Sequence, residues 1–157
     1  MEVYPIDRSN REEINAFVLR QWFTMEMVVH GESIDLGAAN GWFVCEDGQI
    51  AGLLTYRICG SEMEILSLDS LRANRGIGTR LLREAIAEAK RSRCSKIRLI
   101  TTNDNLNALR FYQKRGFDMV RLYRDALEHA RKIKPQIPLR GNDGIPIRHE
   151  IELEMTL

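Results

Sequence analysis

Apolar positions recur along this chain with two different periods, and the switches between them divide it into elements. Residues 3–6 read as a short strand. Ser9, with Glu12 three residues on, fits a helix-capping box, and Ile14, Phe17, Val18 and Trp22 follow at helical spacing. Residues 24–41 keep neither period. Met25, Met27, Val28 and Val29 suggest more helix, while His30-Gly31 and Gly37 suggest breaks, so helix fragments or a loop are expected. Residues 42–46 and 50–58 are expected strands joined by Asp47-Gly48, a strong hairpin signal, and a turn at Cys59-Gly60-Ser61 leads into a third strand over 62–68. The helical period returns from about Gly76 to Ser92. Leu81, Leu82, Ala85, Ile86 and Ala89 form one stripe, with Arg80, Arg83, Glu84, Glu88 and Arg91 outside it.

The second half continues with a buried-type strand over 96–101 and a helix over 105–115 closed by Gly116. A strand over 117–122 follows, then a helix over 124–134 with Ala126, Leu127, Ala130 and Ile133 on one side. A loop rich in Pro and Gly runs to 146. From about Ile147 the chain alternates strictly. Ile147, His149, Ile151, Leu153 and Met155 are expected on a buried face, and Arg148, Glu150, Glu152 and Glu154 on the other. Antiparallel strands first and crossovers later predict a mixed α/β (α+β) fold: a central, mixed, mostly antiparallel sheet flanked by helices. One domain over 1–157 is expected, with a helix-loop insertion at about 124–146 before the last strand.

Composition changes this picture little. Of 157 residues, 44% are hydrophobic and 29% charged, which is ordinary for a globular chain, and a net charge of +1 gives no reason to expect nucleic acid or an anionic membrane as partner. No apolar run is long enough for a membrane span, and the N-terminus lacks the pattern of a signal peptide. Three scattered cysteines, Cys45, Cys59 and Cys94, fit reduced thiols in a cytoplasmic protein. The histidines His30, His129 and His149 are dispersed, so no metal site is expected.

The chemistry concentrates between Leu66 and Leu82, where an apolar strand, a polar loop, two glycines and an amphipathic helix follow one another. Bare N–H groups at a helix start, the positive end of its dipole and nearby arginines make a site for a phosphate or pyrophosphate. A P-loop is excluded, because no Lys-Ser or Lys-Thr follows Gly78; a dinucleotide fingerprint is disfavoured, because its third glycine position is Leu81.

Ala73-Asn74-Arg75-Gly76-Ile77-Gly78 is followed by Asn105, Ala108, Tyr112, Gly116 and Phe117 in the spacing N-x-x-A-x-x-x-Y-x-x-x-G-F. In this order the two motifs resemble those of the GNAT superfamily of N-acetyltransferases, the first set against the family's R/Q-x-x-G-x-G/A. The resemblance covers roughly residues 1–122. It departs at Ala73, where Arg72 or Arg75 would have to supply the missing charge, and in the long segment after 122. It implies acetyl-CoA as cosubstrate and transfer of its acetyl group to an amine in a ternary complex. It also implies backbone pairing of Leu66 and Leu68 with the pantetheine arm, and N–H groups of Arg75, Gly76, Ile77, Gly78, Thr79 and Arg80 on the pyrophosphate. Asn105 would contact the pantetheine arm, or serve simply as a helix cap. Tyr112 would act as general acid on the departing thiolate, or serve simply in packing.

The base is expected on the strand over 62–68. Glu62 and Glu64 alternate with Met63 and Ile65 and share a face with Leu66 and Leu68; Glu64 is the preferred candidate. His149, on an apolar face, is the other candidate, although such a histidine is more often a hydrogen-bonded core residue. The expected acceptor is a small-molecule amine or a protein amino group, in a pocket that residues 24–41 and 124–146 should shape. The family's frequent dimers make a homodimer an open expectation. The rival reading is a non-catalytic acyl-CoA-binding domain of the same fold.

Overall fold

The computed structural model describes residues 1–157. It is a mixed α/β structure with a large, mostly antiparallel sheet and four α-helices, as the pattern predicts. The chain divides into two compact units, one of residues 1–27, 35–97 and 157, the other of residues 28–34 and 98–156.

In the first unit the strands β1 (Val3–Pro5), β4 (Asn40–Glu46), β5 (Gln49–Cys59) and β6 (Glu62–Ser70) are neighbours in that order. All three pairings are antiparallel, with Trp42 opposite Leu54 and Leu54 opposite Leu68. Helix α1 (Arg11–Trp22) buries Ile14, Phe17 and Val18. Helix α2 (Ile77–Arg91) buries Leu81, Leu82, Ala85 and Ala89. Each fully buried leucine contributes about 1.5–3 kcal/mol. The first turn of α2 sits hard on β5: a Cβ added at Gly52 would come within 2.3 Å of Ile77 Cγ2. The capping box at Ser9 does not form. Asp7 takes the Ser9 hydroxyl and amide instead (2.6 and 2.8 Å), and the helix starts after Asn10.

The second unit carries the rest of β7 (Lys96–Thr102), then helix α3 (Leu106–Gln113), strand β8 (Asp118–Tyr123), helix α4 (Ala126–Ile133) and strand β9 (Glu150–Thr156), with β9 lying between β7 and β8. Leu127, Ala130 and Ile147 form a buried cluster with Val28, Ala126 and Ile137 packed on it. Residues 24–41 are not helix fragments. They form a β-ribbon, β2 (Glu26–Val29) and β3 (Glu32–Asp35), followed by a short 3₁₀ turn at Leu36–Ala38. The reason is local: β-branched Val28 and Val29 favour a strand, and His30-Gly31 adopts the two positive φ angles, 48° and 74°, of a tight hairpin turn.

The last strand starts later than expected, at Glu150, and its expected faces do not hold. Glu150 and Glu152 are buried while Ile151 is only half-buried. Buried carboxylates persist where partners meet them. The His30 amide donates to Glu150 at 3.0 Å, and Glu152 lies 3.6 Å from Arg98 and 3.9 Å from Arg121.

Candidate functional site

In the first unit, residues 71–76 carry the chain from β6 into α2. Asn74 and Gly76 hold φ of 59° and 74°, and a side chain at Gly76 would meet nothing within 4 Å, so the backbone there is open to a ligand. The first bond internal to α2 runs from the Arg80 amide to the Gly76 carbonyl (3.0 Å). That bond removes Arg80 from the donors expected at the pyrophosphate; its guanidinium donates to the Met1 carbonyl. Ile77 and Gly78 are residues whose amides precede any acceptor within the helix. Amides at a helix start, together with the helix dipole, favour an anion.

Arg72 and Arg75 turn toward the β4–β5 hairpin. Arg72 lies 3.1 Å from Glu46 and 3.3 Å from Asp47, and Arg75 lies 3.5 Å from the other oxygen of Glu46. These four side chains line an open polar cavity of about 540 Å³ together with Tyr4 and Cys45. Neither arginine simply replaces the side chain absent at Ala73, since both share their charge with these carboxylates.

Strand β6 corrects one expectation. Thr55 is opposite Ser67 but Tyr56 is opposite Ile65, so Leu66 is an extra residue, a β-bulge. The bulge changes which residues share a face. Glu64, Ser67 and Asp69 lie with Arg57, Thr55 and Leu53; Leu68 lies with Ile65 and Met63 on the other face. Glu64 therefore does not share a face with Leu68. Glu64 is 3% exposed and accepts from Arg57 Nε at 2.7 Å. Thr55 and Ser67 hydroxyls meet at 2.6 Å. At the end of this row the Trp22 indole N–H lies 3.1 and 3.2 Å from the two Asp69 oxygens. Burial raises the Asp69 carboxyl above its ordinary range, opposed by that one hydrogen bond. Asp69 was not singled out by sequence, because strict alternation without the bulge assigns it to the wrong face.

In the second unit, Asn105 caps α3, its side-chain oxygen accepting from the Ala108 amide at 3.2 Å. Tyr112, seven residues on, is 5% exposed, with its ring edge-on to Phe111 and Phe117 at 5.1 and 5.2 Å. His149 is half-buried, and its Nδ1 accepts from the Asp125 amide at 2.9 Å. An accepting Nδ1 puts the ring proton on Nε2 of the neutral form, so Nδ1 is not available as a base. The Asn103 carboxamide oxygen fixes the backbone on either side, accepting from the Arg148 and His149 amides, both at 2.9 Å. No three His, Cys, Asp or Glu side chains come together as metal ligands, and no helix is long and apolar enough to cross a membrane.

A helix start beside an open glycine, reached from a bulged strand of a mostly antiparallel sheet, fits a fold that takes a phosphorylated ligand. The model of the acetyltransferase (GNAT) family matches residues 7–117, and the chain belongs to that family. The uncharacterized protein YdhI of Bacillus subtilis (strain 168) is 41% identical over 152 residues, 96% of this chain and 95% of its own length. Among solved structures, an IAA acetyltransferase from Bacillus cereus ATCC 14579 superposes with a TM-score of 0.75 at 24% identity, covering 99% of both chains. A GNAT family acetyltransferase from Elizabethkingia anophelis with acetyl-CoA bound superposes at 0.70 with 18% identity, covering 99% of this chain and 97% of its own.

Proposed function

We propose that this chain transfers an acetyl group from acetyl-CoA to an amine acceptor by direct attack, with both substrates bound at once. The carrying observation is the start of α2, where the amides of Ile77 and Gly78 precede any helical acceptor beside an open Gly76. Those donors fit a pyrophosphate. The acetyl-CoA held by the Elizabethkingia relative of the same fold supports this choice of cosubstrate. Acetyl-CoA supplies an acetyl thioester, activated toward nucleophiles.

The chain's own groups have three tasks. The backbone at Leu66 and Leu68 holds the pantetheine arm, and Leu66, left out of the ladder with β5, is suited to it. A carboxylate on the Glu64 face of β6 takes the proton from the acceptor ammonium, so that the free amine attacks the thioester carbonyl. Glu64 is the first candidate and Asp69 the second, because Asp69 accepts only from the Trp22 indole. Tyr112 gives its phenol proton to the departing sulfur as the carbon–sulfur bond breaks. The acceptor is a small metabolite amine or a protein amino group.

Calorimetric titration with acetyl-CoA, with NAD and ATP as controls, tests the cosubstrate. Saturable binding of acetyl-CoA alone is expected, and its absence in folded protein overturns the reading. An amine screen followed by CoA release then tests transfer. Tyr112→Phe is expected to lower kcat about 100-fold with KM for acetyl-CoA little changed. Binding without turnover for any amine would make the chain an acyl-CoA-binding domain instead.

A further inference from the structure

We propose that Glu46 is a positioning residue that holds the 71–76 loop in the shape its ligand needs. This rests on the acetyl-CoA reading above for the ligand, but not for the loop itself. Glu46 closes β4 opposite Gln49, and the turn between them is fixed by Asp47 and Gly48 at φ of 53° and 73°. Its carboxylate is thus mounted at the tight turn of a hairpin. The side chain is only 11% exposed, and its two oxygens face two different arginines of the loop, Arg72 at 3.1 Å and Arg75 at 3.5 Å. One carboxylate therefore bridges residues on both sides of Ala73-Asn74, the part of the loop that turns through the left-handed Asn74.

Its Oε2 is shut off from solvent and makes no hydrogen bond of sound geometry; only the Arg72 guanidinium faces it. A carboxylate oxygen out of water depends on such a partner, and removing the partner leaves the charge uncompensated. The bridge ties the loop to the sheet from the hairpin side, and α2 begins one residue after that loop ends. Asp47 is different. Its side chain is 83% exposed and its contact with Arg72 is 3.3 Å long, so little depends on it. Position 73 bears no side chain able to reach out; the bridge orders the loop without one.

The experiment uses the full chain with Glu46→Gln, Arg72→Gln, the double variant and Asp47→Asn. Glu46→Gln is expected to raise KM and Kd for acetyl-CoA about tenfold, within the range of coupling between groups in contact. It should leave kcat at saturation within about twofold, since no step of the transfer uses this carboxylate. Amide exchange over 71–76, measured without ligand, should speed up in both single variants. The double variant should be no worse than either single, and Asp47→Asn should match the parent. Unchanged loop exchange in Glu46→Gln, or acetyl-CoA affinity equal to or tighter than the parent's, overturns the proposal; the tighter case would mean that Glu46 competes with the phosphates. If Glu46→Gln does not fold, Arg72→Gln carries the same two readouts. A parent chain that binds no acetyl-CoA overturns the functional reading, and the exchange measurement still decides whether Glu46 holds the loop.

Discussion

Asp69 and Glu150 are the two carboxyls that burial pushes above the ordinary range, and each is met mainly by an N–H rather than a cation. A group whose folded pKa is raised binds its proton more readily in the folded chain. Its contribution to stability is complete below the ordinary carboxylate range and is lost as pH rises through the raised value. Asp7 and Glu88, held low by hydrogen bonds to Ser9 and Arg91, act in the opposite sense from exposed positions. Asp69→Asn keeps an oxygen for the Trp22 indole and removes the charge. Its Tm is therefore expected to match the parent's near pH 4 and to exceed it increasingly toward pH 8, in thermal scans at constant ionic strength. A gap that shrinks over that range would sink the argument. In the transfer reaction the same carboxyl has a second readout: if it serves as the base, Asp69→Asn lowers kcat and abolishes the acid limb of the pH–rate profile, and Glu64→Gln does not.

At the scale of elements, the helices and most strands were legible because each has a full period of apolar positions and a punctuating turn. Asp47-Gly48 marks the β4–β5 hairpin, and Gly116 follows α3 at φ 94°. What was not legible has physical causes in particular residues. Strands β2 and β3 have four residues each, too few to show alternation, and their turn hangs on His30 tolerating a positive φ. Strand β9 alternates in sequence but not in burial: Glu150 and Glu152 are buried, because Arg98, Arg121 and the His30 amide come from elsewhere in the chain to meet them. Packing between elements is equally invisible in the pattern. A Cβ at Gly41 would fall 2.0 Å from the Leu54 carbonyl oxygen, and one at Gly141 2.0 Å from Asp104 Oδ2. Gly41→Ala and Gly52→Ala are each expected to cost about 1–3 kcal/mol, read from urea unfolding at an unchanged m-value. A neutral result at either would mean that the sheet yields there.

For the whole molecule, the glycine loop and the asparagine–tyrosine helix were both found by motif, and with them the family. The motif fixed the backbone features but not the side chains around them, because the arginine pairing with Glu46 and Asp47 joins segments more than twenty residues apart. The cysteines offer a test of the molecule's packing in its native state. Cys59 is exposed, Cys45 half-buried and Cys94 buried, and burial raises the thiols of Cys45 and Cys94. Titration with a chromogenic disulfide reagent should show one fast thiol, a slower second, and a third released only on unfolding. Three fast thiols would contradict the packing described for α2 and the start of β7. The same fast thiol would contribute background to any assay that counts released CoA.

The extra residue at Leu66 has a consequence for how this strand tolerates change. It works as a parity switch: every position after it is read in the opposite frame from every position before it. A one-residue deletion at 66 would leave composition nearly untouched, yet it would exchange the inward and outward sets from Ser67 to Ser70. Asp69 would then be driven toward the packed face of α2, and Leu68 toward Trp22. Such a deletion is far more disruptive than Leu66→Ala, and any alignment that closes the gap here compares residues that look in opposite directions.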